Sequence, residues 1–174
     1  MDIGYVLLSP KGRIGPRDFL RGLILLTGAS MVVQLLSTYV ARELAILNYP
    51  VIWGYFCVFG KRLHDAGKSA WFNVLVFVGY FIVSLILSAM LTPLLSPQVL
   101  PIQAELESIG LKGDFAGMWA TAQERAMEIA RKSALTSLAT FLITSAGLAL
   151  LGARLPSDPG SNPHGPATGP RDTV

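Results

Sequence analysis

Twelve residues, Gly60-Lys-Arg-Leu-His-Asp-Ala-Gly-Lys-Ser-Ala-Trp71, form the densest group of chemically capable side chains in the sequence, set between two long apolar runs. His64 beside Asp65 has the composition of an acid–base pair. Sequence neighbours on a helix do not face each other, however, and neither a second carboxylate nor a nucleophile lies nearby. A structural histidine, satisfied by backbone or by phosphate, is the preferred reading. Ala66-Gly67-Lys68-Ser69 has the closing residues of a phosphate-binding loop. The glycine that such a loop needs five positions before Gly67 is Arg62, and apolar membrane-type runs replace its strand, so the nucleotide-loop reading fails.

What remains is cationic. Lys61, Arg62 and Lys68 are joined by Arg13 and Arg17 from the N-terminal segment. Gly15-Pro16 marks one helix start, because proline is tolerated where its missing N–H would be unpaired anyway. Ser69 is a good N-cap for another. Helix N-termini favour anions, since free N–H donors and the dipole act together. One reading is a site for a phosphate-bearing headgroup or another anion, built from Arg13, Arg17, Lys61, Arg62, His64, Lys68 and Ser69. Asp65, Gly67 and Trp71 then have structural roles. The competing reading is a charge signal for membrane topology, with Asp65 paired to Arg62 or Arg13. No catalytic residue, metal-ligand set or cofactor site is assigned.

The elements that position this turn are greasy. The 174-residue chain is 52% hydrophobic and 14% charged, where soluble domains carry about 25% charged residues. Its single cysteine, Cys57, excludes an internal disulfide and a cysteine zinc site, and is read as an inert core residue. A net charge of +3 is modest for a nucleic-acid binder, and no such partner is expected.

Residues 1–21 form a short basic segment. Residues 22–41 carry no charge and nine Leu, Ile or Val residues; at about 1.5 Å per residue such a run reaches about 30 Å, the thickness of the hydrocarbon core. A signal peptide would have a shorter apolar region and a better cleavage site, so the run is read as a retained anchor. Residues 44–63 form a second span, with Pro50 near its start and Lys61 and Arg62 snorkelling. Residues 71–92 give the strongest signal, thirteen Leu, Ile, Val or Phe, together favouring insertion by about 4 to 8 kcal/mol. Trp71 suits the headgroup level, and Pro93 and Pro97 close the segment.

Residues 114–132, with Asp114 as N-cap, read as one amphipathic helix that either lies on the membrane surface or packs on the bundle. Residues 134–152 are the fourth span. There Ser133, Ser137, Thr140, Thr144 and Gly147 place a stripe of small residues on one face, suited to close helix packing or to a homo-oligomer or membrane-protein partner. Residues 153–174, rich in Pro, Gly and Ser, read as a disordered tail. The expected fold is all-α, an integral membrane bundle of four spans and one amphipathic helix, with residues 22–152 as the membrane domain.

Four spans place both termini on one side. That side carries nine basic and five acidic residues, against five basic and six acidic on the other, so the positive-inside rule puts both ends in the cytoplasm. A non-enzymatic structural, interaction or anionic-lipid-binding module leads. A small transporter or channel subunit comes next, weakened because no span has a charge in its interior; Gln34 and Asn48 are its strongly polar exceptions. An enzyme acting on lipid headgroups rests on His64 and Asp65 alone.

Gly12-Arg13-Ile14, the run from Lys61-Arg62-Leu63-His64-Asp65 through Gly67, Ser69 and Trp71, and Gly160-Ser161-Asn162-Pro163-His164-Gly165 together resemble domain-of-unknown-function family 805. These are small bacterial inner-membrane proteins with a Gly-Arg-Ile start, an Arg-Arg-Leu-His-Asp-x-Gly-x-Ser-x-Trp turn and a Gly-x-Asn-x-x-Gly tail. Pro16 stands where a basic residue is usual, and Pro163-His164 where a basic–aromatic pair is. The resemblance implies a bacterial inner-membrane location and brings no established activity.

Overall fold

A computed structural model describes residues 2–168. Among them lie α1 (Ile3–Leu8), α2 (Pro16–Tyr39), α3 (Asn48–Asp65), α4 (Phe72–Leu95), α5 (Leu100–Leu111), α6 (Phe115–Glu124), α7 (Ala126–Lys132) and α8 (Ala134–Arg154), with short 3-10 turns at Arg42–Leu47 and Pro97–Val99. The fold is an all-α bundle. Four of its helices, α2, α3 with its preceding turn, α4 and α8, are long and apolar enough to cross a membrane. The protein is thus a multi-pass helical membrane protein by length and composition of its helices.

Most boundaries follow local chemistry. Gly15 is the N-cap of α2 and Pro16 its first residue, as the Gly15-Pro16 pair predicts, so the helix begins six residues ahead of the uncharged run that starts at Gly22. Arg17, Asp18 and Arg21 therefore sit on its first two turns. The N-terminal segment contains a helix of its own, capped by Asp2, whose Oδ1 accepts from the Tyr5 N–H at 3.0 Å. Pro93 lies inside the last turn of α4; its missing N–H takes the helical donor from the Ala89 carbonyl, and the helix ends two residues later at Leu95.

The expected single helix over 114–132 is two, α6 and α7, and α5 precedes them over Leu100–Leu111. Gly113, at φ +82°, turns the chain between α5 and α6, and the helix breaks again at Arg125. Asp114 does cap α6, accepting from Gly117 N–H at 2.8 Å. Arg125 pairs with Glu105 of α5 and, at 3.0 Å, with Glu128 of α7, and so ties the three together. This cap packs on the bundle end: Arg42 donates to Gln123 at 2.8 Å and Arg131 to the Thr38 carbonyl at 3.3 Å. It also keeps Leu111, Phe115 and Trp119 exposed.

The buried apolar core lies at the other end. Val6, Ile14, Phe19, Leu23, Leu26, Val58 and Phe59 form a continuous core there, and Phe19 meets Phe59 edge-on at 5.2 Å between ring centroids. α8 approaches so closely that a Cβ on Gly152 would sit 2.4 Å from the Phe19 ring, whereas a Cβ on Gly28 of α2 would meet nothing within 4 Å. Part of the small-residue stripe of α8 packs within the chain: Thr140 and Thr144 are buried, and Ser84 of α4 donates to Thr144 at 3.4 Å, whereas Gly147 is exposed.

These two glycines give a paired prediction. Gly152→Ala forces a methyl against a fully buried ring and destabilises the protein by about 1–3 kcal/mol. Gly28→Ala, in open space within a helix, stabilises it by about 0.5–1 kcal/mol. Thermal unfolding in one detergent reads both; a tolerated Gly152→Ala would contradict the packing described.

Candidate functional site

The twelve-residue turn joins α3 to α4, and its chemistry converges on Asp65, the last residue of α3 and fully buried. Its Oδ1 accepts from Arg13 Nε at 3.3 Å and from the Thr168 hydroxyl at 2.8 Å. Its Oδ2 accepts from Arg62 Nη1 and from the Ser157 hydroxyl, the latter at 2.6 Å. Arg13 and Arg62 are themselves almost fully buried. The sequence left open which arginine pairs with Asp65, and the structure gives it both.

Arg62 also donates to the Ser157 hydroxyl at 3.0 Å, and the other guanidinium donors go to main-chain carbonyls. Arg13 reaches Gly160 at 2.7 Å, Asp158 at 2.6 Å and the Asp65 carbonyl at 3.3 Å. Arg62 reaches Gly152 at 2.9 Å and also Leu155, both at the end of α8. The tail is thereby folded onto the turn as far as Thr168, rather than disordered from residue 153. Asp158 N–H donates to the Asp65 carbonyl at 2.7 Å, and the Asn162 amide to the His64 carbonyl at 3.1 Å. Residues 169–174, the end of the expected disordered tail, lie outside the described residues.

The neighbouring cation is used differently. Lys61, buried, donates to the Tyr5 carbonyl and, at 2.8 Å, to the Val6 carbonyl, two of the carbonyls that α1 leaves without a helical partner. Its ammonium also lies 4.5 Å from the Tyr5 ring centre. His64 bonds through Nδ1 to the Gly12 carbonyl at 3.1 Å and stacks on His164 of the tail, ring centroids 3.8 Å apart and 3° from parallel. Gly12 takes φ +95° and a Cβ there would fall 2.0 Å from the Tyr5 hydroxyl, so only glycine fits. Gly67, at φ +67°, makes the turn after α3.

Of the residues expected to hold an anion, then, Arg13, Lys61, Arg62 and His64 are buried and committed to partners inside the protein, whereas Arg17, Lys68 and Ser69 are exposed. Ser69 does not cap α4 as its N-cap residue. Its hydroxyl accepts from Trp71 N–H at 3.3 Å, one turn before the helix begins at Phe72. Trp71 is 81% exposed, placed for a headgroup-level aromatic. His64 and Asp65 do not form an acid–base pair: the carboxylate is enclosed by its four donors, and the imidazole faces Gly12 and His164. Ser157, Asp158, Gly160, Asn162 and Thr168 are the site residues that composition missed; the Gly-x-Asn-x-x-Gly pattern at 160–165 was their available signal.

What the arrangement does chemically is hold charge. It binds the N-terminal segment, the turn and the tail into one block at the end of a membrane bundle. No family model, no curated protein and no solved structure matches the chain.

Two outcomes follow. Asp65→Ala leaves two guanidiniums buried without their carboxylate and costs about 3–5 kcal/mol in thermal or denaturant unfolding; a loss below about 1 kcal/mol counts against the central role given to the pair. The Asn162 amide, then the Gly160 N–H, with Arg13 nearby, hold the Asp158 carboxyl below its ordinary value near 3.8. A depressed carboxylate pKa stabilises the docked tail above the ordinary value, and this stability is lost as pH falls through the lowered one. Hydrogen exchange at 156–168 should therefore rise on acidification below about pH 4, and Asp158→Asn should remove that dependence.

Proposed function

We propose that the protein is a non-enzymatic structural module of a bacterial inner membrane, with both termini cytoplasmic, that presents an ordered cationic cap to anionic lipid headgroups. One observation carries this reading. Asp65 absorbs both buried arginines, whereas Lys11, Arg17, Lys68 and Arg154 stay exposed around the block, without a carboxylate partner among the described residues. They come from the loop before α2, the first turn of α2, the α3–α4 turn and the last turn of α8, all at one end of the bundle. The Asp65 carboxylate fills the centre of the cluster, and the ligand surface in this reading is its rim.

The bias of basic residues towards that end supports the cytoplasmic orientation, and the resemblance to a family of small bacterial membrane proteins supports the location. Basic residues beside a membrane contribute about 1 kcal/mol each towards anionic lipid. The enclosed carboxylate of Asp65 argues against a headgroup-cleaving enzyme at His64 and Asp65.

Native mass spectrometry of protein purified from mixed phosphatidylethanolamine and phosphatidylglycerol tests the rim. Changing Lys11, Arg17, Lys68 and Arg154 to Gln should lower phosphatidylglycerol enrichment, by up to about fivefold per charge. Lys112→Gln, at the opposite end, should leave it unchanged. Equal losses from both, or no enrichment in the wild type, would sink the proposal.

A further inference from the structure

Hydrogen bonds join α4 and its end to α8 at two heights, the Thr136 hydroxyl to the Ser96 hydroxyl at 2.9 Å and Ser84 to Thr144 at 3.4 Å. Nearer the turn none joins them among the described residues. A cavity of ≈ 600 Å³ runs there between α3, α4 and α8, from the turn to about the height of Ser84. Its floor is buried, at Phe59, Leu63 and Gly152. Leu75, Val83 and Leu151 on its walls are exposed, so it is a groove open towards lipid. Its one charged lining residue is Arg62, whose guanidinium is already taken by Asp65, Ser157 and the end of α8.

Size and depth narrow the occupant. On α8 the lining extends from Leu155 back to Ile143, about 18 Å at about 1.5 Å per residue. That is close to the hydrocarbon depth of one leaflet, about 15 Å. Packed proteins hold few voids larger than a water molecule, and apolar walls give water nothing to bind, so at this depth hydrocarbon fills the space. A partner helix, about 10–12 Å across with its side chains, takes up more than about 1,000 Å³ over the same depth, well beyond the room available. A single acyl chain is slimmer. The mouth adds charge: Arg154 precedes Leu155, and Lys68 lies four residues before Phe72, both of which line the groove. Both cations are exposed and lack a carboxylate partner among the described residues. Asp158 of the docked tail keeps its carboxylate on Asn162 and on the Gly160 N–H.

We propose that this groove seats one acyl chain of an anionic diacyl phospholipid, of the phosphatidylglycerol class, whose phosphate meets Lys68 and Arg154 at the mouth. The inference deepens the rim reading and rests on it: the rim attracts anionic headgroups, and the groove fixes where one such lipid sits. Hydrocarbon gains little by leaving one apolar setting for another, so the groove alone takes any chain, and the cations alone take any anion. Joined in one molecule, the second contact becomes intramolecular, and the two reinforce each other. Gly79 and Gly147 help to keep the groove open: both line it, and a Cβ on either would meet nothing within 4 Å.

The test titrates the detergent-solubilised protein with lipid and counts bound lipid by native mass spectrometry. Three probes are compared: dioleoyl phosphatidylglycerol, dioleoyl phosphatidylcholine (the same chains, a zwitterionic head) and dihexanoyl phosphatidylglycerol (the same head, short chains). Gly79→Phe puts a ring into the groove and leaves every rim cation in place. Gly28→Phe is the control, equally unobstructed but on α2 and away from the groove. Wild type and Gly28→Phe should bind dioleoyl phosphatidylglycerol at least about tenfold more tightly than either other probe. Gly79→Phe should bind the long-chain and short-chain phosphatidylglycerols alike. Gly147→Phe carries the same comparison if Gly79→Phe does not fold. The proposal is overturned, with the rim reading intact, if Gly79→Phe keeps the wild-type preference for long chains, if Gly28→Phe loses it equally, or if wild type lacks it. If wild type binds the two dioleoyl lipids equally, the rim reading fails and the proposal falls with it.

Discussion

One carboxylate against two guanidiniums is an unbalanced group, and burying it shapes this end of the protein. Asp65, Arg13 and Arg62 are all withdrawn from solvent, where an ion costs several kcal/mol unless its charge and hydrogen-bonding groups are met. Asp65 cancels one positive charge. The other is spread over main-chain carbonyls of Gly152 and Leu155 at the end of α8 and of Asp158 and Gly160 in the tail. Those carbonyls have to be brought in, so the tail has to be ordered. A segment with almost no apolar surface to bury thus folds through its backbone.

Helix direction explains why cations gather here. In an up-and-down bundle this end holds the N-termini of α2 and α4, which favour anions. It also holds the C-termini of α3 and α8, and that of α1 is folded against them. C-termini carry unmet carbonyls and the negative end of the dipole. Lys61 and Arg62 are consecutive, so they point about 100° apart around α3. One therefore reaches the end of α1 and the other the end of α8. The sequence argument weighed the two N-termini and set a receptor for an outside anion against a topology signal with Asp65 paired to Arg62 or Arg13. The C-termini took precedence, because they were already within reach and could be satisfied without recruiting anything.

What could be read in advance tracks which chemistry side chains display. The spans were legible from hydropathy, the start at Pro16 from proline's missing N–H, and the cap at Asp114 from its carboxylate. The pairing of Asp65 was legible as a choice between Arg13 and Arg62, since both charges are visible in the letters. The docking of 153–168 was not. Its principal acceptors are backbone carbonyls, which every residue carries, and Pro, Gly and Ser report only that no apolar core can form. The break at Arg125 was hidden differently. Apolar spacing over 114–132 fits one helix well, and only the tertiary pairing of Arg125 with Glu105 and Glu128 shows why two shorter helices lie there, tied to α5 across the bundle end.

The bundle closes tightly where α1, α2, α3 and α8 meet and leaves open volume elsewhere, an apolar cavity of ≈ 600 Å³ between α3, α4 and α8 beside the turn and a polar-walled one farther along. At the turn, glycines at the α8 crossing and a continuous aliphatic–aromatic core let helices approach to contact distance. Towards the other end the facing positions carry Gln34, Tyr55, Tyr80 and Ser145, whose polar atoms cannot interdigitate as methyl groups do. Lipid tails give little drive to squeeze such a space shut, since apolar side chains gain almost nothing by leaving one hydrocarbon for another. A locked block of charge can then hold the four spans in register from one side while the opposite half keeps its volume. Were the lock absent, the polar half alone would offer too little packing to fix how the helices cross.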